Sequence, residues 1–229
     1  PTLISGCTYT FIGGGFQNRV TGTTSSVVGG SCNVAGGPTS FIGGGQSNTV
    51  LLGTTSSVVG GTSNSVTGGY SIIGGGLSNT ASAGYTTVSG GRSNVASNLF
   101  ATVSGGYNNQ ATQIKATVAG GECNRATAAF SFVGGGTGNT ASGFYSIIGA
   151  GKGNITCSGK YTPAIVAGCC NIASNNFAFI GNGKLNTSSG SFSSVLGGSG
   201  NTVSGLYSSA AGCGLNASAN CTFYSNNIC

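Results

Sequence analysis

Residues 71–79 read SIIGGGLSN, and most of the chain is a copy of them. An aliphatic residue, a Gly pair and an Asn recur, the Asn standing at Asn18, Asn33, Asn48, Asn64, Asn79, Asn94, Asn109, Asn124, Asn139, Asn154, Asn171, Asn186, Asn201 and Asn216. These are fourteen copies, and eleven of the thirteen steps between them are 15 residues. A short fixed period over a whole chain is the mark of a stacked solenoid, in which each repeat buries its apolar face only against its neighbours. The expected fold class is all-β: a parallel β-solenoid of fourteen coils of about 15 residues, with two short strands per coil. One repeat domain is expected over residues 1–229, with an N-terminal edge (1–10), the repeats (11–216) and a disulfide-bearing C-terminal edge (217–229).

The columns of the repeat give the division of each coil. Three residues before the Asn stands Gly in thirteen copies, Cys213 being the exception; six before it stands Ile or Val in thirteen, with Ala210 last. Two after it Ala or Val occupies eleven, the others being Thr156, Ser188 and Ser218. Eight before it stand Ser, Thr or Ala, apart from Pro163. Side chains alternate along a strand, so the residues eight and six before the Asn share a face, as do the Asn and the residue two after it. The inward set is therefore Ser/Ala, Ile/Val, Asn and Ala/Val, which implies a thin roll. The step of 16 from Asn48 to Asn64 and of 17 from Asn154 to Asn171 place the extra residues in the far turn, around Leu52 to Thr54 and Ser158 to Tyr161. A strand could not take them without inverting its faces.

Asn has a reason at this point. Its amide offers both a donor and acceptor, so identical Asn stacked at the strand spacing can bond up and down the axis as a ladder. It also tolerates the left-handed conformation that tight turns need. A row of ligand-binding amides is the other reading. The Gly column implies positive φ or close approach between coils, where a Cβ would clash.

Composition narrows the function. Of 229 residues 46 are Gly and only 8 are charged, and Asp, His, Met and Trp are absent. The strict spacing of Ile and Val argues against disorder, and Gly outside a three-residue period excludes collagen. The net charge of +6 comes from cations scattered singly, without the phosphate-neutralising patch that nucleic-acid binding needs. No apolar run is long enough for membrane insertion. Nine Cys without His or Asp read as disulfides rather than a metal centre, which places the chain in an oxidising setting, extracellular or on a virion surface. The chain starts at Pro1 without Met, as a mature product or part of a longer chain would.

Catalysis is not expected. Glu122 is the only acid, so no carboxylate pair exists for acid/base work, and no His can activate a Ser or Cys. The G-x-G patterns come from the repeat, and GNGKL at 181–185 lacks the Ser/Thr a phosphate loop requires after its Lys. No cofactor is expected.

The outward columns remain. Nine residues before the Asn, nine copies carry an aromatic: Tyr9, Tyr70, Tyr85, Phe100, Phe130, Tyr145, Phe177, Phe192 and Tyr207. Two further on lie Phe11, Phe41, Ile72, Phe132, Ile147 and Phe179. An exposed apolar stripe of this kind marks an interface, and the candidate subunit interface is Tyr70, Ile72, Tyr85, Phe100, Phe130, Phe132, Tyr145, Ile147, Phe177, Phe179, Phe192 and Tyr207. The plainer alternative is that the turn folds the rings over the sheet as a stacked edge. The face after each Asn is mostly Thr and Ser, interrupted by Arg19, Val95, Ile155 and Ile172.

At the ends no capping segment is recognisable, so the ends would stack on other subunits or belong to a longer fibre. With the register extended, Cys229 falls one level beyond Cys213 and one column away, which predicts a Cys213–Cys229 bridge. Cys7 and Cys221 lie at similar far-turn positions, suited to a bond between successive subunits. Adjacent Cys169 and Cys170 cannot easily bridge each other, so at least one reaches elsewhere or stays free. Of the sequons at Asn154, Asn186, Asn216 and Asn220, the first three fall on ladder Asn expected to be buried, leaving Asn220 for a glycan.

Runs such as YSIIGGGLSNTASAG (70–84), FSFVGGGTGNTASGF (130–144) and YSIIGAGKGNITCSG (145–159) resemble the head repeats of YadA-like trimeric autotransporter adhesins. They are also similar to repeats in tail and surface fibres of phages and large DNA viruses. The resemblance implies a left-handed β-roll, three chains about an axis, and a role in adhesion or as a rigid stalk, with a host-surface receptor or glycan as partner. The leading expectation is thus a non-enzymatic structural or adhesive fibre segment that self-associates as a homotrimer. The alternatives are an ice-binding solenoid using the Thr/Ser face and a subunit that polymerises head to tail into a filament.

Overall fold

The computed structural model describes residues 2–3 and 8–226. It falls into two compact units, Pro1–Lys115 and Ala116–Cys229, each a parallel β-solenoid. A coil of the first unit shows the plan. Strand Ile72–Ile73 pairs in parallel with Ser57–Val58 one coil before and Thr87–Val88 one coil after. Strand Thr80–Ala81 pairs with Ser65–Val66 and Val95–Ala96. Two sheets therefore run through each unit, one from the first strands and one from the second. Coils of the second unit repeat this, as in Phe132–Val133 on Ile147–Ile148 and Thr140–Ala141 on Ile155–Thr156.

The strands are two residues long because the coil turns back at every corner, and the backbone does this with left-handed residues. Two stations per coil are left-handed, and most hold a non-Gly residue, as with Tyr70 (57°) before the first strand and Ser78 (57°) before the Asn; Gly138, Gly153 and Gly200 take the second station in their coils. At those stations the peptide is reversed. Strand N–H groups donate to the next coil, as Ile72 does to the Thr86 carbonyl at 3.0 Å, whereas Tyr70 and Ser78 donate back to Thr54 and Thr62 at 2.8 and 2.9 Å. The conformational cost of about 1–2 kcal/mol per left-handed residue is thus set against a hydrogen bond that only this geometry makes. The Gly three before the Asn has no such freedom. Gly76 lies at φ 90°, and a Cβ on it would collide with the Gly91 carbonyl of the next coil.

Here one expectation is corrected. The left-handed residue at this corner is the one before the Asn; Asn79 itself is not left-handed and is fully buried. Its amide is bonded to the coils on both sides. The N–H of Asn79 donates to the Asn64 Oδ1 at 2.9 Å, and its own Oδ1 receives the Asn94 N–H at 2.9 Å. Its Nδ2 donates to Gly75 O in its own corner and to Gly91 O in the next, both at 2.9 Å. Every polar atom of a fully buried amide is satisfied, as burial demands. The ladder runs from Asn18 to Asn109 in the first unit and from Asn124 to Asn201 in the second.

Asn216 does not belong to it. Val195 pairs with Ala210, but the next partners are Gly197 and Ala211, so Leu196 is skipped and the last corner is one residue short. Counting back from Asn216 hides this deletion. Leu215 takes the ladder station, its N–H donating to Asn201 Oδ1 at 3.0 Å. Gly212, not Cys213, continues the Gly column, receiving Asn201 Nδ2 at 2.6 Å. Ala217 fills the inward site assigned to Ser218, and Asn216 points out beside Thr202, exposed. The sequon Asn expected to be buried there is therefore on the surface, while Asn154 and Asn186 are buried.

The two insertions lie in the far turn. Val50 pairs with Val66 and Ile147 with Ala164, steps of 16 and 17. The first is taken up beside Leu52, which is 79% exposed. The core is thin as expected: its largest fully buried side chains are Ile and Val, as in Ile42, Ile73 and Val88. The last described coil also carries a closing device that the sequence does not announce. Asn226 Oδ1 receives the Cys213 N–H and its Nδ2 donates to the Cys213 carbonyl, both at 2.8 Å, so a side-chain amide stands in for a backbone pairing.

Candidate functional site

Among the described residues no concave pocket exists, and no group of three His, Cys, Asp or Glu comes together. No helix is long and apolar enough to cross a membrane.

The aromatic column is the most developed of the outer faces. Its rings leave the chain at the left-handed station of the far turn, not from the strand, with φ from 53° at Tyr207 to 60° at Phe100. Side chains at that station in successive coils project in parallel at the strand spacing, and the rings stack. Tyr70, Tyr85 and Phe100 form one run with centroids 5.1 and 4.9 Å apart, and Lys115 Nζ lies 5.9 Å from the Phe100 centroid. In the second unit Phe130 stacks on Tyr145 at 4.7 Å, and Phe177, Phe192 and Tyr207 form a run at 4.7 and 4.9 Å. Each stacked pair contributes about 0.5–1.5 kcal/mol. Stacking does not bury them: exposure runs from 39% at Phe130 to 58% at Tyr207. The stacked-edge and exposed-stripe readings thus describe the same residues, the ring faces turned to one another and the edges to solvent.

Beside this column lies the outer face of the first strands. Ile72, Phe132 and Ile147 are exposed and Phe179 is half-buried. Side-chain size is traded between the strand residue and the one two further on. Phe11, Phe41, Ile72, Phe132, Ile147 and Phe179 are followed by Gly13, Gly43, Gly74, Gly134, Gly149 and Gly181, whereas Ser57 and Ser194 are followed by Val59 and Leu196. A Cβ at Gly13 would lie 3.2 Å from the Phe11 ring, so the ring covers its own glycine. Most levels therefore present one bulky apolar group, in line with the levels above and below.

The second-strand face is polar and mixed, with Thr80, Thr140 and Thr187 interrupted by Val95, Arg125, Ile155 and Ile172. At the Gly corner, Arg92 lies over Tyr107 at 5.5 Å.

Cys32, Cys157, Cys169, Cys170 and Cys221 are free thiols. Cys213 is disulfide-bonded, and Cys229, its expected partner, lies outside the described residues, as does Cys7. Cys169 and Cys170 do not bridge, yet their Sγ atoms approach to 3.0 Å. Asn220 is exposed, and its Oδ1 receives the Leu206 N–H at 2.8 Å.

No protein-family model matches the chain, and no curated protein matches it.

Proposed function

We propose that the chain is a non-enzymatic, rigid fibre segment of an extracellular or virion surface, which self-associates side by side through its aromatic stripe and serves for attachment or as a filament building block. The observation that supports this reading most directly is the half-exposed run of Tyr70, Tyr85 and Phe100, with Ile72 exposed on the strand that follows Tyr70. A half-exposed aromatic leaves on the order of 100 Å² in water. Three such rings with Ile72 reach the few hundred Å² that mark interaction sites on soluble proteins. Because the ring faces are occupied by stacking, the surface offered is one of edges and aliphatic tips, which suits another apolar face better than the flat face of a sugar ring. The same stripe carries the expected trimer, and a receptor or glycan would meet the remaining outer faces.

The test uses substitutions that the coil already accepts. Thr occupies the same left-handed station at Thr24, Thr39, Thr55 and Thr162, with φ of 52–56°. Light scattering on the full chain is expected to give the mass of more than one chain, and Tyr85→Thr with Phe100→Thr is expected to shift it towards one chain with the far-ultraviolet circular dichroism unchanged. A wild-type chain that stays monomeric at all concentrations sinks the reading.

A further inference from the structure

The Gly corner of each coil brings two consecutive side chains to the same side. In a strand, neighbours point to opposite faces. Here the residue two before the Asn lies in a parallel bridge with the coils on either side, and the one before the Asn is left-handed, which swings its side chain back beside its neighbour's. In one coil that pair is Cys169 and Cys170, the latter at φ 58°. Their sulfurs are 3.0 Å apart, Cys170 is exposed and both are free. The backbone beneath them is fixed by ladder bonds: Cys169 N–H to Gly183 O at 2.9 Å, Cys170 N–H to Lys152 O at 2.8 Å, and Leu185 N–H to Cys169 O at 2.9 Å.

That rigidity decides what the pair can do. Adjacent Cα atoms across a trans peptide are about 3.8 Å apart, below the roughly 4.4–6.8 Å span of disulfides, so an internal disulfide would have to break the corner. A centre bound by both sulfurs makes no such demand. With metal–sulfur bonds of about 2.3 Å, sulfurs 3.0 Å apart subtend an angle of about 80°. This is too acute for a tetrahedral ion, which would also need ligands that the neighbourhood lacks among the described residues. It is close to the near-right angle of a pyramidal trivalent metalloid. Lys152 and Lys184 bridge to Cys169 from the coils before and after. Sharing a hydrogen bond with Cys169 pushes the Cys170 thiol up, desolvation and the Cys169 charge add to this, and the two lysines oppose it. The net direction is up, so Cys170 is held as the thiol and the lysines offset this only in part. On the open side, the coil before presents Gly153 at the Cys170 station, and even a Cβ there would stay 3.7 Å from the Cys170 sulfur.

We propose that Cys169 and Cys170 form a dithiol site that takes a trivalent arsenical, or a metalloid centre of the same geometry, through both sulfurs. With an organic arsenoxide the step balances without an oxidant. Two As–S bonds form, the As–O bond and two S–H bonds break, the oxygen leaves as water with both protons, and arsenic stays trivalent.

The full chain is treated with phenylarsine oxide, and free thiols are counted alongside intact mass. One adduct that consumes two thiols, survives a rinse with a monothiol and is released by ethanedithiol is expected. Cys169→Ser and Cys170→Ser should each abolish the loss of two thiols. Both substitutions are ones the coil tolerates, since Ser31 and Ser199 occupy the first station and Ser47, Ser63, Ser78 and Ser93 the second. No two-thiol loss in the wild-type chain, or an adduct that persists unchanged in both Ser variants, overturns the site.

Discussion

Ser71 and Ser146 occupy the same station in their coils, eight residues before the ladder Asn, and both are buried. Ser71 is fully engaged: its hydroxyl donates to the Ala83 carbonyl at 2.8 Å and receives the Thr86 N–H at 3.0 Å, while its own N–H donates to Ser56 Oγ at 3.1 Å. The hydroxyl of Ser146 has no partner, the only such buried atom among the described residues. The difference lies one coil later. Where Ser71 meets Thr86, Ser146 meets Pro163, whose nitrogen has no hydrogen to give. The carbonyl that would receive the hydroxyl is that of Lys160, and the two-residue insertion has turned it to the Phe144 N–H at 2.8 Å. The ladder Asn and Ser25, Ser56, Ser71 and Ser208 are completed by the coil that follows them, whereas Ser40, Thr86, Ser131 and Ser193 donate to the carbonyl three residues before them in their own coil. A residue of the first kind is satisfied or orphaned by the sequence of the next coil, and much of the stability is a chain of such hand-overs.

The largest effect is expected where the hand-over involves most bonds. Asn79→Leu removes the acceptor of the Asn94 N–H and the donor to Gly75 O, leaving two backbone groups without a partner, while Gly91 O keeps only the Leu77 N–H. At about 1–3 kcal/mol each, a loss of at least about 2 kcal/mol is expected by urea denaturation. Leu is found at this station, since Leu215 sits at the ladder position of the last full coil, where its N–H donates to Asn201 Oδ1. If Asn79→Leu costs less than about 1 kcal/mol, the ladder is packing rather than hydrogen bonding.

This dependence on the following coil also explains what could be read from the sequence. The inward columns were legible because Ile73, Asn79 and Ala81 recur with a fixed spacing, and the spacing is the fold. The insertions near Leu52 and Ser158 were legible because the columns resume after them. The deletion beside Leu196 was not, because an Asn stands by coincidence at residue 216, 15 after Asn201, while the true station has moved to Leu215. The spacing reveals the aromatic column but not its left-handed backbone, since nothing in Tyr70 or Tyr85 itself signals a positive φ; those residue types rarely adopt it alone. The contact between Cys169 and Cys170 depends on the same reversal and was hidden for the same reason. The function of the outer faces is less legible than either, because a column exposed to solvent obeys no hand-over rule.

Of intermediate size is the contrast between the two serines. Ser71→Ala should destabilise by about 1–2 kcal/mol, because the Thr86 N–H loses its partner in a buried setting, while the Ala83 carbonyl keeps the Thr86 hydroxyl. Ser146→Ala removes a hydroxyl that already bonds to nothing, and should be neutral or stabilising by up to about 1 kcal/mol. Equal costs at the two sites would mean that the burial, not the bonding, of these hydroxyls matters.

The smallest effect is expected at Pro163 itself. Pro163→Ala restores an N–H within reach of Ser146, worth about 0.5–1.5 kcal/mol, but releases unfolded-state entropy that costs about 0.4–1 kcal/mol. It also removes the ring that Gly143 accommodates, a Cβ there lying 2.6 Å from the Pro163 Cγ. The single substitution should therefore sit within about 1 kcal/mol of the parent, and its sign carries little information. The cycle with Ser146→Ala isolates the pair term. Adding the N–H should help only when the Ser146 hydroxyl is present to receive it, giving a coupling of about 1 kcal/mol. Additive effects within error would mean that the insertion around Ser158 to Tyr161, rather than the missing N–H of Pro163, leaves Ser146 unpaired, because the Lys160 carbonyl has turned away whichever residue follows it.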